Sequence, residues 1–436
     1  MRFLYRILLV LILIGGSAAA WVLPGAGAAP DSAPPPGVAR REAIAFHERR
    51  LIEDPAGALD MARLASLMME EGRMTLDEGL YVKAESLARR SLKELTRRNG
   101  RSTALLVNSL LAQHRFAEAV PEARALVEAE PEMPAYRALL AEALMEVGEY
   151  ADAARMLGSV RAQRESLGIA PRFARWAELT GQPGEARRIL RAACVEAARR
   201  RDLSPEQQAW FFVRLADLEI RHGYLRSARS TIRDGLARSA GDWRLIMLRA
   251  RLDLLRSRPR AAARAAEEVT SLVPEPAAFA VLAGAHRELG DSPAAESWAS
   301  ALEGVAFGSR TVHRGWALAL LDVGGDSVVD RIVALAEADT LVRRDIHGLD
   351  LLAWALHRAG RSGDAQPLAR RSLATGSVEP SLRFHSGMIE LAAGDTAAAV
   401  VQLEIALDRR GALTRSEARA ARGALEHARR TIRRGD

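Results

Sequence analysis

One interval organises this chain. A Gly followed five positions later by Ala recurs as Gly79/Ala84, Gly148/Ala153, Gly181/Ala186, Gly223/Ala228, Gly290/Ala295, Gly360/Ala365 and Gly394/Ala399. His114/Ala119, Ser257/Ala262 and Gly324/Val329 fill the gaps as degraded copies. Successive first members lie 35, 34, 33, 42, 34, 33, 34, 36 and 34 residues apart. A period of 34 held over ten units marks a linear array, in which each unit buries its apolar face only against its neighbours.

A further column stands seven residues before each turn position. From the second unit it reads Val107, Ala141, Ala174, Ala216, Ala250, Ala283, Ala317, Ala353 and Gly387. Two helices joined by a tight turn come close only where their facing side chains are small. The column and the Ala after the turn supply that contact, and the Gly between them suits the left-handed residue that ends a helix. Composition agrees. Ala, Leu, Arg and Glu dominate, all good helix formers, while aromatics make up 5%.

These units resemble tetratricopeptide repeats. Leu351-Leu352-Ala353 through Gly360 to Ala365 follows the first part of that 34-residue pattern, and Pro131 and Pro274 fall where its closing Pro belongs. Aliphatic residues replace the second-helix aromatic, and most units lack the Pro. The resemblance spans roughly residues 56–411. It implies an all-α, right-handed superhelical solenoid of about ten helix-turn-helix units. The segments Leu352-Ala353-Trp354-Ala355-Leu356-His357-Arg358 and Phe384-His385-Ser386-Gly387-Met388-Ile389 are similar to a bacterial family of exported repeat proteins of unsettled function.

The ends and one interruption depart from the ladder. Arg2 and Arg6 precede an apolar run from Ile7 to Leu23, and Ala26-Gly27-Ala28 offers a cleavage site. Residues 1–28 therefore read as a signal peptide or an N-terminal membrane anchor. Residues 29–42, rich in Pro, Ala and Gly, read as a disordered tether. The solenoid is expected over 43–411, opening with a helix near Ala56–Glu71 and a loop from Gly72 to Asp77. The step of 42 contains Ser204, Pro205 and Gln207, a helix-start signature that predicts longer flanking helices. Residues 412–436 read as a basic capping helix. Thr414 and Glu417 box its start, and Ala418, Ala421, Leu425, Ala428 and Ile432 form one face.

Charge and motifs narrow the function. The net charge of +7 comes from 60 Arg and only two Lys, interleaved with 55 acids, a pattern of solvated helix faces rather than a nucleic-acid surface. The lone Cys194 can form neither an internal disulfide nor a Cys metal cluster. No phosphate loop, nucleophile elbow or zinc-protease signature occurs. No catalytic residue, metal or cofactor is expected.

What remains is binding. The resemblance implies a concave groove lined by the first helix of each unit and holding a protein or peptide. Projected onto the ladder, that groove presents Arg175, Asp217, Arg221, Arg251, Arg287, Trp354 and His357. Its cationic middle suits an acidic partner, with Trp354 as an apolar anchor. Together with the N-terminal segment, this predicts a non-enzymatic scaffold of the bacterial cell envelope, periplasmic or anchored in the inner membrane and facing the periplasm. The alternatives are a membrane-tethered assembly or regulatory factor for an envelope complex, and an accessory subunit of an enzyme.

Overall fold

The computed structural model describes residues 36–308 and 313–435. The expected signal or anchor segment and residues 29–35 of the expected tether lie outside the described residues. Ten helix pairs follow one another. They are α2/α3 (Ala58–Thr75, Glu78–Glu94), α4/α5 (Gly100–Ala112, Phe116–Ala129), α6/α7 (Pro134–Val147, Tyr150–Ser159), α8/α9 (Ala170–Leu179, Pro183–Arg199), and α10/α11 (Pro205–Arg221, Leu225–Leu236). The second half comprises α12/α13 (Trp243–Leu255, Pro259–Leu272), α14/α15 (Pro276–Leu289, Ser292–Gly308), α16/α17 (Arg314–Val323, Val329–Val342), α18/α19 (Ile346–Arg358, Ser362–Ser372), and α20/α21 (Pro380–Ala392, Thr396–Asp408). Helices α1 (Pro36–Glu53) and α22 (Arg415–Gly435) flank the array, and no strand occurs among the described residues. The fold is an all-α solenoid.

The small-residue contact forms as its physics requires. Ala141, Ala216, Ala250 and Ala353 on first helices are fully buried, as are Ala153, Ala228, Ala262 and Ala365 on second helices. At Gly387 even a methyl group is too large, because a Cβ there would stand 2.7 Å from Leu403 Cγ. Gly148, Gly181, Gly223, Gly290, Gly360 and Gly394 take left-handed φ, and so do the degraded positions His114 and Ser257. Gly324 does not, with φ −79°.

Three sequence expectations are corrected. Residues 36–42 belong to α1, whose Arg40 is buried against Glu71 and Glu206; these ion pairs give order to a stretch whose composition suggested a tether. Helix α2 continues to Thr75, so the supposed loop from Gly72 shrinks to two residues. The left-handed residue of this first unit is Leu76, at φ 59°, while Gly79 lies inside α3. Elsewhere the ends follow the sequence. Ser204 and Gln207 form a reciprocal capping box on α10, and α9 and α10 each run 17 residues. Thr414 and Glu417 bond reciprocally at the start of α22.

The array coils until it meets itself. Ile346 N donates to Tyr150 Oη at 2.8 Å across 196 positions, between five and six units. The turn within one unit lies against the loop that follows a unit one superhelical turn later. Gly148 thus faces the Arg344 carbonyl, Gly181 that of Gly376, and Gly223 that of Arg409. His114 meets His313 with ring centroids 5.1 Å apart. At the N-terminal end Trp243 Nε1 donates to Met74 O at 3.0 Å.

Candidate partner-binding face

First helices carry the residues expected in the groove, and the structure joins several of them into one ionic network. Arg221 on α10 reaches Glu178 on α8 through both terminal nitrogens and Asp217 through Nε at 3.0 Å. Its Nη1 also reaches Glu379, just before α20, at 3.4 Å. Arg175 donates to Glu178 at 3.1 Å and lies 3.3 Å from His347. His347 in turn lies 3.3 Å from Glu379, and His222 Nε2 lies 3.0 Å from Glu178. Arg251 donates to Asp217 at 3.0 Å.

Electrostatics fix the protonation states. Burial alone would push the Glu178 carboxyl up, yet Arg221, His222 and Arg175 hold it well below the usual carboxylate range. Glu379 is opposed by burial in the same way and is held down by His347 and Arg221. Burial and Arg175 oppose a charge on His347, but Asp345 and Glu379 overcome them and push it up to about 9. At the centre of the network Glu178 and Glu379, only 3% and 6% exposed, are shared among the Arg175 and Arg221 guanidiniums and the His347 imidazolium, with Asp217 and Arg251 at its edge. Ligand atoms of Glu178, His222 and Glu379 all lie within 4.8 Å of one another, a spacing that could suit a metal ion. Arg221 Nη1 already bonds both carboxylates, so a guanidinium supplies the positive charge there.

The remaining expected residues sit apart. Arg287 is turned to the end of α16, donating to the carbonyls of Asp322 and Val323 at 3.0 and 2.9 Å. Trp354 is corrected outright. It is 6% exposed and stacks on His385 at 4.3 Å and on His357 at 5.1 Å, so it is core and not an anchor open to a ligand. His357 bonds Ser362. The proposed cationic middle is also largely neutralised from within. Arg175 and Arg221 serve Glu178 and Glu379, leaving Arg251, 40% exposed along its side chain, and half-buried Arg214 as the cations that face solvent. Arg214 makes no ion pair among the described residues and lies over the Trp210 ring at 5.9 Å.

Sequence reasoning missed Glu178, His222, His347 and Glu379. For Glu178 a signal existed: it stands three residues before its turn, where neighbouring units place buried Met145 and Ile220. An acid in an apolar column asks for a buried partner. Glu379 and His347 carry no such signal, because only the superhelical closure brings them there.

Two family models described as tetratricopeptide repeat match residues 110–166 and 351–412. A comparison with curated proteins finds no match. Among solved structures, PilW, a widely conserved type IV pilus biogenesis factor, is 15% identical over 49% of this chain and 96% of its own, with a TM-score of 0.39. Yeast Tom70 is 12% identical over 85% of this chain and 96% of its own (TM-score 0.34), and a tetratricopeptide repeat protein from Parabacteroides merdae is 15% identical over 57% and 92% (TM-score 0.34). At those scores none carries an argument about partners. The two family matches rest on the same ladder as the ten stacked helix pairs, and the chain is a tetratricopeptide-repeat protein.

Proposed function

We propose that this protein is a non-enzymatic scaffold that holds an acidic protein or peptide segment on its inner face. The observation that supports the reading is the pair Arg214 and Arg251. They are adjacent first-helix cations, one without an ion pair and the other only partly neutralised by Asp217, beside a network that has used up its own acids. A partner carboxylate would gain charge-assisted bonds there without displacing an internal pair. Arg175, Asp217 and Arg221 hold the surface in place, and Arg287 and His357 lie further along the same face. Trp354 has no direct role.

The Arg2–Leu23 pattern supports a site in the bacterial envelope, either free in the periplasm or tethered through residues 1–28. No helix among the described residues is long and apolar enough to cross a membrane. The test is quantitative capture from envelope extracts by the wild-type chain and by an Arg214→Glu/Arg251→Glu variant of unchanged helicity. Acidic partners should disappear from the variant. An identical captured set would sink the proposal, and so would capture that ignores salt.

A further inference from the structure

The two irregularities of the ladder meet in space. The loop and capping box that introduce α10, present only because of the long step, stand opposite the atypical first helices α1 and α2. Between them lies a cleft of about 280 Å³, walled by Met74, Leu203, Trp210 and Phe211 on its apolar side. That is just below the usual range for ligand pockets, about 300–1,000 Å³, and suits only a small ligand. Longer flanking helices alone do not account for a concave site with an aromatic wall.

Its charges are unevenly satisfied. Arg40 is engaged by Glu71 and Glu206, and Arg244 by Asp242. Arg73 also lines the cleft, keeps exposed surface, and makes no hydrogen bond or ion pair among the described residues. Crowding by the surrounding chain holds it below the ordinary arginine range; Glu70 pulls the other way, more strongly than either Arg244 or Arg40 pushes, and an added anion would favour the charged form further. Glu70 stands one helical turn away on the same face. Among the described residues it is bonded by the neutral Gln207 amide, which donates to it at 3.1 Å. The cleft thus offers one unpaired positive group, one unpaired negative group and an apolar wall.

We propose that this cleft binds a free α-amino acid with a large apolar side chain. Its carboxylate meets Arg73, its ammonium meets Glu70, and its side chain lies on Trp210, Phe211, Met74 and Leu203. A simple organic anion would leave Glu70 facing it, and a simple amine would face Arg73. Only the zwitterion answers both, and the wall selects against glycine.

Titration calorimetry on the full chain tests this with L-phenylalanine, L-leucine, glycine, 3-phenylpropionate and phenylethylamine. The apolar amino acids should bind, and removing either ligand charge should weaken binding by about tenfold or more. Arg73→Gln should abolish binding. Glu70→Gln should leave 3-phenylpropionate and phenylalanine indistinguishable. Trp210→Leu, which keeps the cleft apolar, guards against misreading a folding defect by weakening phenylalanine more than leucine. No heat at millimolar amino acid overturns the proposal. Equal binding of phenylalanine and 3-phenylpropionate to the wild type, or an Arg73→Gln variant that binds normally, overturns it as well.

Discussion

Four turn glycines offer a graded test of whether successive turns of the superhelix bear on one another. Gly181 and Gly360 have the same φ, +76°, so Ala at either position meets the same left-handed strain, about 1–2 kcal/mol. They differ in what surrounds them. A Cβ on Gly360 meets nothing within 4 Å, whereas on Gly181 it overlaps the Gly376 carbonyl oxygen. That oxygen is backbone in the facing loop and cannot swing away as a side chain would. Relief requires the loops to part, a further ~1–3 kcal/mol by comparison with overpacked cores. Gly148, with Arg344 O at 2.8 Å, and Gly223, with Arg409 O at 3.0 Å, should fall between. The expected order of destabilisation is Gly181→Ala, Gly148→Ala, Gly223→Ala, then Gly360→Ala. Urea midpoints measure it, and small-angle scattering should show the Gly181 variant expanded and the Gly360 variant unchanged. Equal midpoint shifts at Gly181 and Gly360, with identical scattering, would refute the contact between turns.

Further outcomes follow from the same contacts. The His347 imidazolium, raised to about 9 from 6.5, contributes stability that is complete below pH 6.5 and fades as pH climbs through 9; His347→Gln should flatten that limb of a stability profile. His114 is pushed down to about 4 by burial and by Arg343, so its contribution runs the other way and is lost as pH falls from 6.5 toward 4. Glu178→Gln should destabilise by about 3–5 kcal/mol in chemical denaturation, since it leaves Arg221 and Arg175 in surplus at a buried position. Trp354→Ala should lower the unfolding free energy by about 3–5 kcal/mol while sparing partner affinity in the folded fraction; selective loss of binding with unchanged stability would restore it to the groove.

Much of the fold can be read without coordinates because repeats repeat. Each unit samples the same local physics ten times, so a small residue, a turn glycine and an alanine become visible as columns even where single units are degraded. His114 and Ser257 illustrate the strength of that frame: both adopt the left-handed turn that their positions demand, although neither is the residue that prefers it. The frame fails where the period does. At the start of the chain Gly79 mimics the turn motif, yet the turn closes at Leu76. The helix over 36–53 went unseen because proline and alanine content described its beginning better than any periodicity.

The candidate face was legible only in part. The sequence locates Arg175, Asp217, Arg221 and Arg251 on successive first helices, which is a local, periodic property. It cannot tell an arginine that waits for a ligand from one already paired, because the answer lies in residues 158 and 172 positions away. His347 and Glu379 reach Arg175 and Arg221 only because the solenoid closes after five to six units. That closure depends on small rotations summed over many helix packings, and no single unit encodes it. The periodic residues thus determined the units and their order by themselves. Which charges remain free, and why Gly181 must lack a side chain toward its neighbour as well as in its turn, were decided where one turn of the superhelix rests on the next.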